Sequence, residues 1–346
     1  MIQPPTEEIV TINDLNVLLD TNAHPRHYVG LEISGPLHLG SLVQTGFKIR
    51  DFLKAGFRCV VFLADWHSYI NNKMGGDWLR INQAARYYAD AFKFFCPGVE
   101  IILGSDLYHH NDEFWKDYMK FSKQITLSRV ARCLTIMGRS ERDKLDFSQY
   151  FYPPLQAVDI RALDLDLVQA GMDQRKVHML VREVFPKLAW KIPVAVHHHL
   201  LPGLSEPAGP GLDDEPPNKL ISSKMSKSKP GTCIFIHDSK AEIDSKISQA
   251  WCPLGVVEGN PVMELAKHLV FHEAKEMTVN RSAKFGGTVV FENFNDLERL
   301  YLEKKLHPAD LKTAVAKYVD KIISPVRKHF EGKEQSLGIQ MDEKTA

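Results

Sequence analysis

The sequence lacks paired cysteines and carries no excess of either charge. Its cysteines are widely spaced and none lies in a C-x-x-C pair: Cys59, Cys96, Cys133, Cys233 and Cys252. This spacing argues against a zinc knuckle or a disulfide framework, so we interpret them as core thiols of a protein in a reducing compartment. Lys and Arg together number 43, as do Asp and Glu. With no net cationic field, any contact with nucleic acid depends on local basic patches.

The sequence also has no long apolar run and no N-terminal targeting pattern. No apolar stretch reaches the ~18 residues that a membrane helix needs, and the charged-then-apolar pattern of a signal peptide is absent. We therefore expect a cytoplasmic protein with no membrane partner. A length of 346 residues is enough for two domains, because single cores usually stop growing below that size.

The first two thirds of the chain alternate short β-rich runs with helical patterns, which predicts an α/β fold with a parallel sheet flanked by helices. A strand is predicted at residues 27–33, followed by an amphipathic helix at 37–55. Residues Arg58–Ala64 (RCVVFLA) predict a strand buried on both faces, since apolar residues follow one another without alternation. Further strands are expected at 100–104 and 192–196, and long helical patterns cover 112–137 and 174–190.

A stretch rich in proline and glycine separates this part from the rest. Residues 201–218 (LPGLSEPAGPGLDDEPPN) predict a loop or linker. From residue 239 onward the windows KAEIDSKISQAW and HPADLKTAVAKYVDKII have helical spacing, and Val289–Phe291 is the only strand-like stretch. We therefore divide the chain into a sheet domain, 1–230, and a mainly helical domain, 231–346, whose polar end is expected to fray.

The segment GPLHLGS, residues 35–41, follows the first predicted strand. Its small and turn residues fit the start of a helix, where unpaired N–H groups and a partial positive charge attract anions. On the first turn, His38 can donate to a phosphate oxygen, and Gly40 leaves room for a nucleotide to approach the backbone. By itself the segment is equally typical of a buried turn histidine beside a packing glycine.

A second segment, KMSKS at 224–228, follows the proline- and glycine-rich stretch. Its lysines, Lys224 and Lys227, place two ammonium groups three residues apart. Such a pair can follow the β- and γ-phosphates as charge builds during displacement at the α-phosphorus. Two lysines on a surface loop are ordinarily solvated charge, but the full pentapeptide is much rarer.

The pairing of HLGS with KMSKS resembles the HIGH and KMSKS motifs of class I aminoacyl-tRNA synthetases. The resemblance implies a Rossmann-like catalytic domain in 1–230, with an acceptor-stem-binding helical insertion at about 110–150, and an anticodon-recognition domain in 231–346. It implies ATP contacts at Gly35, His38, Gly40, Ser41, Met225 and Lys227, with His38, Lys224 and Lys227 catalytic. Ser41 stands where the family pattern has a second histidine, and its hydroxyl can donate one hydrogen bond.

A pocket for tyrosine must satisfy a phenol that both donates and accepts a hydrogen bond. Tyr28 can donate to such a phenol and Asp159 can accept from it, although each alone is also typical of a core tyrosine or of a charge on a helix face. The order YVGLE, YPPLQAVD and GMDQRK resembles tyrosyl-tRNA synthetases of the archaeal and eukaryotic branch over nearly the whole chain. The resemblance places Tyr28 and Asp159 at the substrate hydroxyl.

The same resemblance implies a set of residues around the α-ammonium and carboxylate of tyrosine: Glu32, Tyr152, Gln156 and Gln174. We expect His67, just after the second predicted strand, in the pocket wall; a structural histidine is the alternative. Tyrosyl-tRNA synthetases are the known example of a hydroxyl-binding site that rejects phenylalanine by roughly 10⁵, so no editing domain is expected.

Transfer RNA requires basic groups on two separate surfaces. Basic residues at helical spacing predict a phosphate-facing stripe, with a solvated helix face as the alternative: Lys116, Lys120, Lys123, Arg129, Arg132, Arg139, Arg142 and Lys144. The resemblance implies Arg175 at the first base pair of the acceptor stem, and Phe285 and Asp310 at the first anticodon base. Three consecutive histidines, 197–199, point to alternating faces of a strand and cannot all bind one ion, so no metal site is predicted there.

We therefore expect a tyrosine–tRNA ligase that forms tyrosyl-adenylate from L-tyrosine and ATP and transfers the tyrosyl group to the 3′ end of tRNA(Tyr). Mg²⁺ enters with ATP, no resident metal or organic cofactor is expected, and the resemblance implies a homodimer. Three alternatives remain. A tryptophan-specific relative needs only an acceptor for its indole N–H; an RNA-binding paralogue without catalysis is disfavoured by the intact lysines; a small-molecule adenylyltransferase is disfavoured by the second domain.

Overall fold

A six-stranded sheet forms the centre of the first part of the molecule. The computed structural model describes residues 1–139, 143–207 and 224–333. The strands are β1 Thr6–Val10, β2 Arg26–Glu32, β3 Arg58–Ala64, β4 Glu100–Leu103, β5 Leu167–Gly171 and β6 Val194–His198. Their spatial order is β1-β6-β5-β2-β3-β4, with β1 antiparallel to β6 and all other pairings parallel. The parallel strands have the doubly wound order of a Rossmann-like fold, which confirms the predicted fold class.

The predicted strands agree with the observed ones to within two residues. The predictions at 27–33, 100–104 and 192–196 correspond to β2, β4 and β6, and β3 matches its prediction. Two strands of this sheet were not predicted. β1 is an edge strand with the polar sequence TEE, and the apolar run of β5 is interrupted by the buried Gln169.

Helices connect the strands: α1 Ile12–Thr21, α2 Thr45–Lys54, α3 Asp65–Ile70, α4 Trp78–Phe95, α5 Gly104–Tyr108, α6 Asp112–Ser122, α7 Leu127–Ala131, α8 Tyr152–Ala162 and α9 Arg175–Val184. Shorter helical turns lie between them: the π-helical turn Leu39–Gln44 and the 3₁₀ turns Lys73–Gly76, Leu134–Met137, Phe147–Phe151, Met172–Gln174 and Phe185–Leu188.

The long helical patterns are helical but not continuous. The pattern at 37–55 starts as the π-helical turn and continues as α2. A single helix at 112–137 is wrong, because α6 ends at Ser122 and Thr126 caps the start of a new helix, α7, by accepting from a backbone amide. The pattern at 174–190 divides into α9 and a 3₁₀ turn.

The second part of the chain is mainly helical: α10 Lys240–Gln249, α11 Pro261–Leu265, a π-helical turn Ala266–Val270, α12 Phe271–Glu273, α13 Phe294–Leu302 and α14 Pro308–Phe330, with 3₁₀ turns at Pro230–Thr232 and Ala283–Phe285. It also contains a small antiparallel ladder of β7 Met277–Val279 and β8 Val289–Phe291. The prediction that β8 is the only strand-like stretch is therefore wrong, because β7 pairs with it.

The two parts pack against each other through one continuous apolar core. Backbone contacts cross the junction as well: the Ile236 amide donates to the Leu37 carbonyl at 3.1 Å, and Phe235 forms a β-bridge with His38. The segment that follows KMSKS is thereby fixed beside the first helix turn.

All the cysteines are buried free thiols, as predicted. In the described part of the chain, no helix combines the length and apolarity that a membrane crossing requires. Arg142, residues 208–218 of the proline- and glycine-rich stretch, and the polar end from 334 lie outside the described residues.

Candidate active site at the carboxyl edge of the sheet

A pocket of about 560 Å³ opens where the parallel strands end, between the ends of β2 and β5. In a doubly wound sheet this is the switch point, where ligands bind. Its lining includes most of the predicted site residues: Tyr28, Glu32, His38, Gly40, Ser41, Tyr152, Gln156, Asp159, Gln174, Lys224 and Met225. Gly35 and Lys227 adjoin it and are joined by a hydrogen bond, whereas Arg175, Phe285 and Asp310 are not part of its wall.

Tyr28 and Asp159 form the inner end of the pocket. Both are buried, Tyr28 on β2 and Asp159 on α8. The Tyr108 hydroxyl donates to Asp159 Oδ1 at 2.7 Å, whereas Asp159 Oδ2 has no hydrogen-bond partner among the described residues. Burial raises the pKa of the Asp159 carboxyl well above its usual range, and burial together with the Asp159 charge raises the pKa of Tyr28. A buried oxygen without a partner is costly, so this end is suited to accept a hydrogen bond from a ligand.

Gly30 makes room for the Tyr28 hydroxyl. The two residues lie on the same face of β2, and a Cβ built on Gly30 would be 2.1 Å from the Tyr28 hydroxyl oxygen. Any side chain at position 30 would therefore displace the phenol from the inner end.

His67 lies on α3, directly after β3, in the pocket wall where it was predicted. Its ring meets the Tyr152 ring edge to face at 4.5 Å, and Nε2 is 3.6 Å from Asp159 Oδ2. Burial lowers the pKa of His67 to about 3. The imidazole is therefore neutral at physiological pH, and its contact with Asp159 is not an ion pair.

Glu32, at the end of β2, forms one side of the pocket. Its Oε1 accepts from Asn71 Nδ2 at 2.6 Å and from the Tyr152 hydroxyl at 3.4 Å, and its Oε2 pairs with Lys73 Nζ at 3.2 Å. These contacts hold the carboxylate in one orientation at the pocket wall.

Gln156 and Gln174 form a hydrogen-bonded pair beside Glu32. Gln156 Nε2 donates to Gln174 Oε1 at 3.2 Å, and Gln174 Nε2 donates to the Ile136 carbonyl at 2.8 Å. Gln156 Oε1 is buried and has no partner within the part of the chain that the structure describes. The pair thus leaves one amide oxygen to accept from a ligand, as an ammonium group requires.

The turn after β2 forms the outer end of the pocket. Gly35 has φ of +98°, which side-chain-bearing residues rarely adopt. His38 caps the π-helical turn: its Nδ1 accepts from the Gly40 amide at 3.2 Å. A Cβ on Gly40 would lie 3.2 Å from the His38 ring, so glycine keeps this imidazole in place. The Ser41 hydroxyl accepts from the His38 amide and donates to the His38 carbonyl, so its proton is used within the turn.

His38 is a neutral donor in this arrangement. Burial, followed by the charges of Lys227 and Lys224, lowers the pKa of His38 to about 3. Because Nδ1 accepts from the Gly40 amide, the ring proton is on Nε2. A neutral imidazole can therefore donate to an anion at this end.

Lys227 reaches over the turn from the KMSKS loop. Its ammonium donates to the Tyr88 hydroxyl at 2.8 Å, to Ser34 Oγ at 3.1 Å and to the Gly35 carbonyl at 3.3 Å. All three partners are uncharged, so an anion arriving at this turn would meet an ammonium group that pairs with no carboxylate of the described residues.

Lys224 lies on the opposite side of the loop. Its ammonium pairs with Asp173 Oδ2 at 2.8 Å. The loop backbone is fixed by the Met225 amide, which donates to the Leu201 carbonyl at 2.7 Å, and by a β-bridge between Lys224 and Pro202. With the Met225 side chain buried, the loop is anchored on the segment that follows β6.

The predicted RNA-binding residues lie elsewhere. Arg175, at the start of α9, donates from Nε to both carboxylate oxygens of Glu8 at 2.9 Å. Phe285 is 61% exposed in the 3₁₀ turn before β8. Arg281 links that turn to the segment before α14, which carries Asp310, by donating to the carbonyls of Gly287 and Lys305 at 2.9 Å.

The basic residues at 116–144 do not form one uniform stripe. Of the seven that the structure describes, three pair with carboxylates, three are exposed, and one donates to Asn71 and lines the pocket: respectively Lys116, Lys120 and Arg129; Lys123, Arg132 and Lys144; and Arg139. Because α6 ends at Ser122 and α7 begins at Leu127, a single helical repeat does not describe these positions.

Three residues that line the pocket, Gly30, Lys73 and Asp173, were not identified from the sequence, nor were Asn71 and Tyr108, which hydrogen-bond to the pocket residues Glu32 and Asp159. Gly30 and Asp173 lie inside the quoted segments YVGLE and GMDQRK, so a test of close approach at Gly30 or of charge pairing for Lys224 could have found them. Asn71 and Tyr108 carry no local signal, because only the packing of α3 and α5 brings them to the site.

Comparisons with known proteins identify the family and support the fold of the chain. Residues 20–324 match the family model of class I tRNA synthetases, described as "W and Y". The chain is 44% identical over 347 residues to the tyrosine–tRNA ligase of Thermococcus sibiricus, covering 94% of this chain and 92% of that protein. A crystal structure of tyrosyl-tRNA synthetase with L-tyrosine from Pyrococcus horikoshii superposes with a TM-score of 0.90 at 41% identity, covering 98% and 96% of the two chains. The Archaeoglobus fulgidus enzyme with L-tyrosine gives 0.84 at 37% identity, covering 94% and 97%.

Proposed function

The chain belongs to the class I tRNA synthetases of the tryptophan and tyrosine family, and on that premise we propose that it is a tyrosine–tRNA ligase. It activates L-tyrosine with ATP and transfers the tyrosyl group to the 3′ end of tRNA(Tyr). The observation that carries the choice of amino acid is the inner end of the pocket, where a tyrosine hydroxyl and a carboxylate with a free oxygen line one cavity.

A substrate phenol satisfies both of these groups. It donates to Asp159 Oδ2 and accepts from the Tyr28 hydroxyl, so the otherwise unpaired oxygen gains its hydrogen bond. The indole N–H of tryptophan can donate to Asp159 but cannot accept from Tyr28, and phenylalanine can do neither. The inner end therefore favours tyrosine over both.

The polar head of tyrosine fits the middle of the pocket. Its ammonium group donates hydrogen bonds to Glu32 and to Gln156 Oε1. Among the described residues, that buried amide oxygen has no other partner. Tyr152 and Gln174 hold these two acceptors in position through their hydrogen bonds. The substrate carboxylate then points toward the outer end, where the phosphates bind.

In the first step the tyrosine carboxylate attacks the α-phosphorus of ATP, the bond to the β-phosphate breaks, and pyrophosphate leaves with Mg²⁺. His38, Lys224 and Lys227 stabilise the charge that develops on the phosphate oxygens. In place of their present contacts with Asp173 and with neutral oxygens, the lysines bind phosphate. Gly35, Gly40, Ser41 and Met225 shape the nucleotide seat around them.

In the second step a ribose hydroxyl at the 3′ end of the RNA attacks the carbonyl carbon of the adenylate, and AMP leaves. No protein nucleophile is required, because positioning and electrostatic stabilisation supply the rate. Arg175 contacts the first base pair of the acceptor stem, and Glu8 holds its guanidinium. Phe285 stacks on the first anticodon base and Asp310 hydrogen-bonds to it.

The division of labour follows the two parts of the chain. Residues 1–230 provide the nucleotide and tyrosine sites, with the acceptor-stem surface at about 110–150, and residues 231–346 recognise the anticodon. The continuous core between them keeps the two RNA-binding surfaces at a fixed separation.

A second copy of the chain is the proposed partner of an apolar hollow of about 1000 Å³ beside α3, α6 and α7. Its lining includes exposed large side chains: Trp66, Tyr69, Trp115, Met119, Leu127 and Phe147. Exposed apolar patches of this extent mark protein contacts. Sedimentation should show a dimer that Trp115→Glu converts to a monomer, whereas Val17→Glu on α1 leaves it intact; a monomeric parent chain would reject this partner.

The decisive experiment is ATP–pyrophosphate exchange with tyrosine, tryptophan and phenylalanine in turn. We expect exchange that depends on tyrosine. Dependence on tryptophan instead would reject the choice of amino acid, and RNA binding without any exchange would identify a paralogue that has lost catalysis.

A further inference from the structure

A cluster of metal-binding side chains lies outside the active site, where the sheet meets the second part of the chain. His199 directly follows β6, whereas Glu264 is on α11 and His268 on the π-helical turn after it. Both histidines approach the same carboxylate oxygen: Glu264 Oε2 is 3.0 Å from His199 Nε2 and 3.1 Å from His268 Nε2. The three potential ligand atoms all lie within 4.8 Å of one another.

These distances suit a tetrahedral ion. Zinc binds nitrogen and oxygen ligands at about 2.0–2.2 Å, which places the ligand atoms roughly 3.3 Å apart. The His199 and His268 rings stack at 4.3 Å with an interplanar angle of 7°. A small rotation of each ring directs both Nε2 atoms at one ion.

The hydrogen bonding of the cluster points the same way. Among the described residues, Glu264 Oε2 and His268 Nδ1 are buried without a hydrogen bond, and the two ring nitrogens approach Oε2 only as contacts of 3.0 and 3.1 Å. The His268 side chain is only 7% exposed. A cation among these atoms would give the orphaned carboxylate oxygen a partner.

Glu7 provides the support that zinc-bound histidines usually have. Its Oε2 contacts His199 Nδ1 at 3.1 Å, on the side of the ring away from Glu264. A carboxylate on the second ring nitrogen keeps the proton there when Nε2 binds a metal, and it orients the ring toward that metal.

We propose that His199, Glu264 and His268 bind one Zn²⁺ ion, which fastens the second part of the chain to the edge of the sheet. Two imidazole nitrogens favour zinc over Mg²⁺ or Ca²⁺, which prefer oxygen ligands. The fourth position takes a water molecule from the hollow of about 760 Å³ that His199 and Glu264 help to line.

The site is separate from the histidine run considered in the sequence analysis. Of the three histidines, only His199 faces this cluster. His197 hydrogen-bonds to Glu8 and His178, and His198 lines the active-site pocket. The argument that three consecutive histidines cannot share one ion therefore holds, and the remaining ligands come from a helix 65 and 69 residues further along the chain.

An ion at this position would also stabilise the segment that anchors the KMSKS loop. Leu201, two residues after His199, holds the Met225 amide of the KMSKS loop at 2.7 Å. Zinc at His199 would fix the segment on which that loop is anchored, so its loss is expected to loosen the loop as well as the junction.

The test uses the full chain, stripped with a chelator and titrated with Zn²⁺ against a chromogenic competitor, followed by metal analysis. We expect one zinc per chain and a rise in melting temperature on binding. Co²⁺ in its place should give the intense visible absorption of a tetrahedral site. Glu264→Gln, which keeps the side-chain shape, and His268→Ala should each weaken zinc binding by about tenfold or more.

His272→Ala is the matched control. His272 lies four residues after His268, is partly buried at the same junction, and contacts Asp51 instead of the cluster. It should leave zinc affinity and the cobalt spectrum unchanged. Zinc binding that is equal in the parent chain, Glu264→Gln and His268→Ala, or a parent chain that retains no zinc, would overturn the proposal.

Discussion

The two ends of the active-site pocket are built in opposite ways. At the inner end, Asp159 and Tyr28 are buried, and one oxygen of the Asp159 carboxylate has no hydrogen-bond partner in the described ranges. At the outer end, Lys224 and Lys227 are partly exposed on a loop and already bound to oxygens of the protein. The inner end is preorganised for one ligand group. At the outer end, the two lysines bind protein oxygens that phosphate oxygens can replace.

This difference separates recognition of the amino acid, at the inner end, from stabilisation of the transition state, at the outer end. A group that recognises a hydroxyl must be fixed and dry, because an unpaired buried polar atom is what penalises a wrong ligand. A group that stabilises a transition state must meet charge that develops during the reaction. Substitutions at the two ends should therefore affect different steps.

The largest effect is expected at the outer end. Lys227→Ala should lower the rate of tyrosyl-adenylate formation by about 10²–10³, because it removes an ammonium group from the charge developing on the phosphates. Tyrosine affinity should change little. Single-turnover measurement with saturating tyrosine checks this, and Lys229→Ala, an exposed lysine two residues further on, is the control. A rate close to that of the parent chain would show that Lys227 does not stabilise the transition state, and the outer end would then not differ from the inner end in this way.

The next effect is expected at the inner end. Asp159→Ala should lower kcat/KM for tyrosine by about 10²-fold, since the substrate hydroxyl loses the oxygen to which it donates. Pyrophosphate exchange measures it, with the exposed Asp106→Ala as the control. An unchanged exchange rate would remove Asp159 from the pocket.

A smaller effect is expected for Tyr28→Phe, which tests whether Tyr28 donates a hydrogen bond to the substrate. Tyr28→Phe removes one hydrogen bond and should lower kcat/KM for tyrosine by about tenfold. Phenylalanine, which has no hydroxyl, should be used no worse than before, so its exchange rate serves as the internal control. Equal losses with both amino acids would show that Tyr28 only fills space.

The smallest effect concerns stability without ligand. Burial raises the pKa of Asp159, so the folded chain binds its proton more tightly than the unfolded chain and loses stability as the pH rises past the usual aspartate range. Asp159→Asn removes this cost and should raise the free energy of unfolding by about 1–2 kcal/mol at neutral pH. Urea unfolding at several pH values should show the gain shrinking in acid. A gain that does not change with pH would contradict the buried-charge explanation.

The two ends also differ in how far the sequence predicts them. KMSKS and HLGS identify the outer end because contiguous residues carry its function, and the loop does lie over the turn at Gly35. At the inner end, Tyr28 and Asp159 came from a family resemblance, and Tyr108, which completes the Asp159 hydrogen bonds, was not identified. Its contact spans residues from α5 and α8, and no local pattern records such a pairing.

The sequence by itself determined the parallel sheet, the phosphate-binding motifs and the helical second part, because each depends on local periodicity or on a contiguous segment. Only the tertiary structure decided which residues Lys224 and Lys227 contact and where α6 ends and α7 begins. It also decided why position 30 must be glycine and that His199 contacts Glu264 and His268. These contacts join residues distant in the chain, and their geometry depends on packing that emerges only when the whole core is assembled.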